Sequence, residues 1–230
     1  MTELGENIWI FEGAAVPFFT LPYTTRMTVV RLPDNELWIH SPIALTDELI
    51  RQIDQLGTVK YLISPNHLHH LFIQAWQQHY QDALTFGTKG VQQKRPDICF
   101  DGVFTPLFNA PWSEHIAQLL FTGSPAMEEC VFFHKTSETL IVTDLIENFA
   151  PDSFTPLKRC VAGMAGILAP DGKMPLDWRL SFMFSKAEAK RHLQNILHWH
   201  PKKIVMAHGE IINSQAELFL KRSFNWLNIN

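Results

Sequence analysis

Thr139-Leu140-Ile141-Val142-Thr143-Asp144-Leu145-Ile146-Glu147-Asn148 is a run of β-branched and aliphatic residues interrupted by an acid. Residues 139–143 have the composition and length of a buried strand. Asp144 stands where a chain leaving a strand needs a turn former, or where a fold places a functional group. The pattern recurs twice. Tyr61 to Ser64 runs into Asn66-His67-Leu68-His69-His70, and Ile204 to Ala207 runs into His208-Gly209. Each of these apolar strands thus ends in a residue able to ligate a metal, and strand ends are where α/β folds build sites.

Imidazole and carboxylate are the usual nitrogen and oxygen donors to zinc or iron. His67 and His69, two apart on a tight loop, could turn towards one ion, and Asp144 and His208 could complete the set. Each residue also has a plainer role open to it. Asn66 could cap a helix running to Trp76 while the histidines bond backbone or water. Asp144 could close a turn on its own downstream amides, and His208 could belong to a strand-end turn leading to Ser214. His198 and His200, just before Pro201, suit the negative end of a helix dipole. The other histidines stand singly, with His40 and His134 the two that could flank a cleft. Glu128, Glu129 and Glu147 are candidate proton acceptors by proximity alone.

Strands are expected at Met27 to Leu32 and Leu37 to His40, joined by the turn Pro33-Asp34-Asn35, and at Val59 to Ser64, Cys130 to His134, Thr139 to Thr143 and Lys203 to Ala207. Asp47 to Leu56 reads as a helix, capped by Thr46 and ended by Gly57. Ser185 with Glu188, and Ser214 with Glu217, match capping boxes that open two further amphipathic helices. Residues 88–128 and 145–184 lack clear periodicity and are expected to lie over the site.

The order strand, His-rich loop, strand, Asp, strand, His-Gly resembles the metallo-beta-lactamase-like superfamily over nearly the whole chain. Within it the sequence is similar to a divergent branch, a domain of unknown function, marked by Ser64-Pro65-Asn66, His69-His70-Leu71, the 139–148 run and Ala207-His208-Gly209. The resemblance implies an α/β (α+β) fold, a four-layer αββα sandwich. It implies one domain over 1–230, built from two βα halves of approximately 1–120 and 121–230. It also implies hydrolysis of a small-molecule substrate, with one or two metals activating water.

Active members carry His-x-His-x-Asp-His, then a His after Thr-Pro-Gly, then an Asp, then a His. With His67 and His69 in the first two places, Leu71 and Phe72 fall on the Asp and the third His. Starting at Pro65 keeps His67 and His70 but puts His69 on the Asp. Near Thr122-Gly123-Ser124-Pro125 no histidine occurs. One metal would lack nitrogens, while His69, His70, Asp144 and His208 could serve the other. The expected site is therefore drawn from His67, His69, His70, Asp144 and His208, with Asn66, Glu147 and Asn148 behind or beside it. Two functions follow. One is a hydrolase holding a single zinc or iron ion, with a metal-bound hydroxide as nucleophile. The other is a metal-free member of the fold serving as a ligand-binding or regulatory module.

Composition narrows the field. At 230 residues and 46% hydrophobic the chain can bury a sizeable core. A net charge of −4, from 19 scattered basic and 23 acidic residues, offers no footprint for nucleic acid. Met1 to Phe11 lacks the features of a signal peptide and no segment stays apolar long enough to span a bilayer, so no membrane partner and a cytoplasmic location are expected. Cys99, Cys130 and Cys160 form no Cys-x-x-Cys pair and are odd in number, and they read as reduced, buried small hydrophobes. A serine-hydrolase elbow, a phosphate-binding loop and a dinucleotide fingerprint are all missing. The sequence does not set the oligomeric state.

Overall fold

Side chains on a strand alternate between its faces, so apolar residues on both faces mark strands covered from both sides. The structure, a computed structural model describing residues 1–18 and 21–228, shows where each face goes. One sheet runs in chain order: β1 (Thr2–Gly5), β2 (Ile8–Phe18), β3 (Leu21–Arg31), β4 (Glu36–His40), β5 (Thr58–Ser64), β6 (Leu84–Thr88) and β7 (Gly102–Phe104). It is antiparallel as far as β4 and parallel from β4 onward. The second sheet holds β8 (Ile116–Phe121), β9 (Glu129–His134), β10 (Thr139–Val142) and β11 (Lys203–Met206), in the spatial order β11-β10-β9-β8. Only its β10–β11 pair is parallel. The helices are α1 (Asp47–Leu56), α2 (Ile73–His79), α3 (Lys89–Lys94), α4 (Pro156–Ala165), α5 (Leu176–Ser181), α6 (Lys186–Leu197) and α7 (Ala216–Ser223).

On β4, Leu37 and Ile39 pack against Leu49 and Ile53 of α1 and Ile73 and Trp76 of α2. Trp38, between them, faces the second sheet. On β10 the pattern is mirrored: Ile141 meets the first sheet, while Leu140 and Val142 pack with Leu193 and Ile196 of α6 and Phe219 and Leu220 of α7. The result is the expected αββα sandwich. Its middle is aromatic, with Trp38 and Phe132 edge to face at 4.9 Å and Tyr61 and Trp112 at 5.0 Å. Each such ring, removed from water, contributes about 1.5–3 kcal/mol.

Local chemistry sets several boundaries. Thr46 Oγ1 accepts the Leu49 amide at 3.2 Å and opens α1, and at Gly57, which ends it, a Cβ would come within 2.2 Å of the Asn35 carbonyl oxygen. Asp34 and Asn35 both take positive φ, 59° and 57°, which these residue types tolerate, so β3 turns tightly into β4. The expected capping boxes do not form. Ser185 precedes α6 without a capping bond, and the Glu188 carboxylate accepts the Thr122 hydroxyl at 2.6 Å in place of the reciprocal bond to the Ser185 amide. α7 starts after Gln215, and Glu217 pairs with His200 instead.

The cysteines also depart from expectation. All three are free, but only Cys130 is buried, whereas Cys99 and Cys160 are exposed. Cys160 sits on α4, which buries only Ala162. Among the described residues, no helix is long and apolar enough to cross a membrane.

Candidate metal centre

Ser64 ends β5, and Pro65 breaks the strand ladder by lacking an N–H. The chain then winds back on itself: Ser64 Oγ donates to the His69 carbonyl at 2.7 Å, and Asn66 Oδ1 accepts the amides of Leu68 and His69 at 2.8 and 3.2 Å. Within this tight loop the histidines part company. His67 lies against α3, where Lys94 Nζ donates to its carbonyl at 3.0 Å. His70 turns to Arg95, whose Nη1 is 3.1 Å from His70 Nδ1. Burial first, and then the charges of Lys94 and Arg95, push the His70 imidazole down to about 4. His69 alone points to the strand ends of the second sheet, with Nε2 3.2 Å from Asp144 Oδ2.

Asp144 follows β10 and His208 follows β11, and the parallel pairing of those strands brings their ends side by side. His208 Nε2 lies 3.2 Å from Asp144 Oδ1. His69, Asp144 and His208 thus offer two imidazole nitrogens and a carboxylate oxygen, all within 4.8 Å of one another. Among the described residues, no other group of three or more His, Cys, Asp or Glu side chains is so arranged. His67 and His70 stand outside it.

The ring orientations are fixed from behind. His208 Nδ1 donates to the Thr24 carbonyl at 2.7 Å, which leaves Nε2 to face Asp144. Tyr23 meets the same ring edge-on at 4.9 Å, and Phe149 stacks at 6.1 Å. His69 Nδ1 lies 2.6 Å from Ser41 Oγ, on a residue held at φ 53° just after β4. Neither Thr24 nor Ser41 carried any signal in the sequence, because each reaches the site only through the sheet.

Under the triad lies a second buried acid. Glu129 opens β9 and is wholly buried; its carboxylate accepts the amides of Thr143, Asp144 and Leu145 at 2.8, 2.9 and 3.1 Å. Asn66 Nδ2 joins it at 3.1 Å and also donates to Asp144 Oδ2 at 2.7 Å. Burial and the neighbouring Asp144 charge push the Glu129 carboxyl up. For Asp144 burial pushes the same way, but the two imidazoles outweigh it and hold that carboxyl well below the usual range. Glu129 was a candidate proton acceptor by sequence proximity, and its carboxylate is instead given over to the backbone amides of the Asp144 turn. Glu128, by contrast, accepts the Gly90 amide at 3.3 Å.

Glu147 Oε2 accepts the Tyr23 hydroxyl at 3.1 Å; burial, then the Asp144 charge against the lowering pull of His208, leaves its carboxyl raised to about 8. Asn148 fastens the His208 loop. Its carbonyl accepts the Glu210 amide at 2.8 Å, its Nδ2 donates to the Glu210 carbonyl at 3.1 Å, and its amide reaches the His208 carbonyl at 3.3 Å. Gly209, at φ 93°, makes this approach possible, since a Cβ there would come within 2.2 Å of the Asn148 carbonyl oxygen.

A cavity of about 210 Å³ opens over the triad. Of residues 88–128 only Lys94 lines it, and of residues 145–184 none does. Those segments were expected to cover the site. They instead build α3, β7 and β8, and α4 and α5, and the cover is the long β2–β3 hairpin with Val16, Tyr23 and Thr25. His40 and His134 do not flank the cleft either. His40 is buried between the sheets, stacked on Trp38 at 5.5 Å, and His134 bonds Ser137 at 2.7 Å.

The family described as "Domain of unknown function (DUF4336)" matches residues 5–156. The chain belongs to it. No curated protein matches this DUF4336 chain. Solved structures do. DIM-1 metallo-beta-lactamase superposes with a TM-score of 0.66 at 13% identity, covering 99% of this chain and 95% of that one. The metallo-beta-lactamase from Pontibacter korlensis gives 0.65 at 12% identity, with 100% and 98% covered. Rubredoxin oxygen:oxidoreductase from Desulfovibrio gigas gives 0.67 at 12% identity, covering 99% of this chain and 61% of that one. The DUF4336 chain therefore has the metallo-beta-lactamase fold.

The donor set fits a metal ion. Two neutral imidazoles and a carboxylate are a common three-residue catalytic set for zinc or non-haem iron, one that leaves coordination positions open. Both rings are anchored through Nδ1 with Nε2 turned inward, the arrangement that orients metal ligands.

Proposed function

We propose that this DUF4336 protein is a hydrolase of a small substrate that holds a single zinc or iron ion on His69, Asp144 and His208. The observation that carries this reading is the convergence of the two Nε2 atoms and the Asp144 carboxylate, each oriented by a buried partner. A bound ion would supply Lewis acidity, polarising the bond to be cleaved and lowering the pKa of water. The chain's own residues do the rest. Asn66 and Glu129 hold the Asp144 turn in place, Thr24 sets the His208 tautomer, and the hairpin residues Val16 and Tyr23 restrict water at the mouth. Three unpaired cysteines suit a cytoplasmic protein.

A second reading has its own support. Both imidazoles are within 3.2 Å of Asp144, so the group can close as a His-Asp-His bridge held by protons, and the fold would then serve as a metal-free binding module. Metal analysis separates the two. Protein purified without tag or chelator should carry about one zinc or iron per chain, and Asp144→Ala and His208→Ala should lose it. Protein that stays empty after reconstitution with either metal sinks the hydrolase reading and leaves the module.

A further inference from the structure

The cavity wall carries more chemistry than the triad. Apart from Asp144, His69 and His208 its lining is largely apolar, with Val16, Pro42, Leu68, Leu71 and Phe72. Among the described residues Asp144 is the only carboxylate that lines it, and Asn66, His69 and His208 already occupy that group. Among the described residues Lys94 is the only Lys or Arg that lines it, and its ammonium gives one bond to the His67 carbonyl, keeping two donors. The charged group left free to bond a ligand is therefore the Lys94 ammonium.

His70 adds a directed donor. A guanidinium can only donate, so His70 Nδ1, 3.1 Å from Arg95 Nη1, must accept, and the ring's hydrogen lies on Nε2. Arg95 is itself clamped by Asp97 through bonds of 2.8 and 2.6 Å, which fixes the guanidinium that sets this tautomer. His70 lines the same cavity as Lys94. An ammonium and an imidazole N–H on one wall, with apolar side chains around them, match an anionic head on a short apolar body.

Resting on the metal reading for the reaction itself, we infer that the substrate is a small carboxylate or phosphate. Lys94 and His70 hold its anionic head, Leu71 and Phe72 contact its apolar part, and its reacting group lies at the triad. His70 is then a specificity residue and not a ligand.

The test uses chelator-treated protein, so that it reads this wall alone. Hexanoate, hexyl phosphate and neutral hexanamide are titrated by calorimetry into wild type, Lys94→Gln, His70→Phe and His70→Gln, with folding checked by circular dichroism. At least one of the two anions should bind saturably and more tightly than hexanamide. Lys94→Gln and His70→Phe should each weaken that anion about tenfold, the effect of one charge-assisted bond, while His70→Gln, which keeps an N–H, should lose less. The head bound more tightly tells carboxylate from phosphate. Absence of saturable anion binding, equal affinity in Lys94→Gln, or hexanamide binding as tightly as the anions overturns the inference. Metal content is measured separately, so failure here leaves the triad reading standing, and an empty triad leaves this result readable.

Discussion

Asn66 Nδ2 lies 2.7 Å from Asp144 Oδ2, while Asn66 Oδ1 receives the His69 amide at 3.2 Å. A single buried amide thereby ties the carboxylate at the end of β10 to the loop that carries the imidazole after β5. The two sheets meet at this side chain, and the spacing of His69 from Asp144 depends on it.

Asn66→Ala should therefore cost about 2–4 kcal/mol, because it strands two buried carboxylates and two loop amides at once. Asn66→Asp should cost more, since it sets a third carboxylate against Glu129 and Asp144. Urea unfolding midpoints check both, and an alanine variant as stable as wild type would show that the network carries little.

Glu129→Gln keeps the shape but turns an NH2 either on the Thr143 amide or on the amides of Asp144 and Leu145. We expect a loss of about 2–4 kcal/mol in stability. If the triad binds an ion, affinity should also fall by about 10–100-fold, the usual effect of disturbing a group behind a ligand. Competition with a fluorescent chelator measures the second effect, and retention of full affinity would show that Glu129 serves stability alone.

Metal uptake should strengthen as pH rises. Burial alone would lower the His208 imidazole, but its bond to Asp144 and the Asp144 charge prevail and raise it above the ordinary 6.5. The imidazolium then lends the metal-free protein stability that is full below 6.5 and is lost as pH passes the raised value. A metal must displace that proton, so affinity should climb as pH rises from 6.5 through the raised value, with release of about one proton. Calorimetry in buffers of different ionisation enthalpy counts the protons.

Glu147→Gln should be stabilising at neutral pH. The carboxyl is raised from 4.5 to about 8, so between those values the unfolded chain is ionised and the folded one is not. Wild type should lose about 1.4 kcal/mol per pH unit over that window relative to the variant, with the gap constant above it. Gln keeps an acceptor for Tyr23. Equal pH profiles of unfolding free energy would refute the assignment.

The strands that build the site were legible because each is buried on both faces, so Leu37 to Ile39, Leu140 to Val142 and Ile204 to Met206 are uninterrupted apolar runs. α1 was legible through Thr46 and Gly57. The β2 strand was not picked out, although Ile8-Trp9-Ile10-Phe11 has strand composition, because the pattern weakens at Glu12-Gly13 and a register shift follows at Gly13/Val16. Which of three crowded histidines faces Asp144 could not be read from spacing. It depends on Asn66 tying the loop to Asp144 and on Arg95 capturing His70, contacts that span 78 and 25 residues. Thr24 and Ser41 are ordinary residues whose importance exists only in three dimensions.

The positive φ of Gly209 and its contact with the Asn148 carbonyl exclude a side chain whether or not anything is bound nearby. Glycine at this point is demanded by the backbone, and the histidine before it is free of that demand. A His-Gly pair found at this strand end in another sequence would accordingly be a diagnostic of architecture in its second letter only. Inventories of such proteins sorted by that dipeptide would gather inert and active members alike, and the sorting has to be done on the imidazole and on what stands behind it.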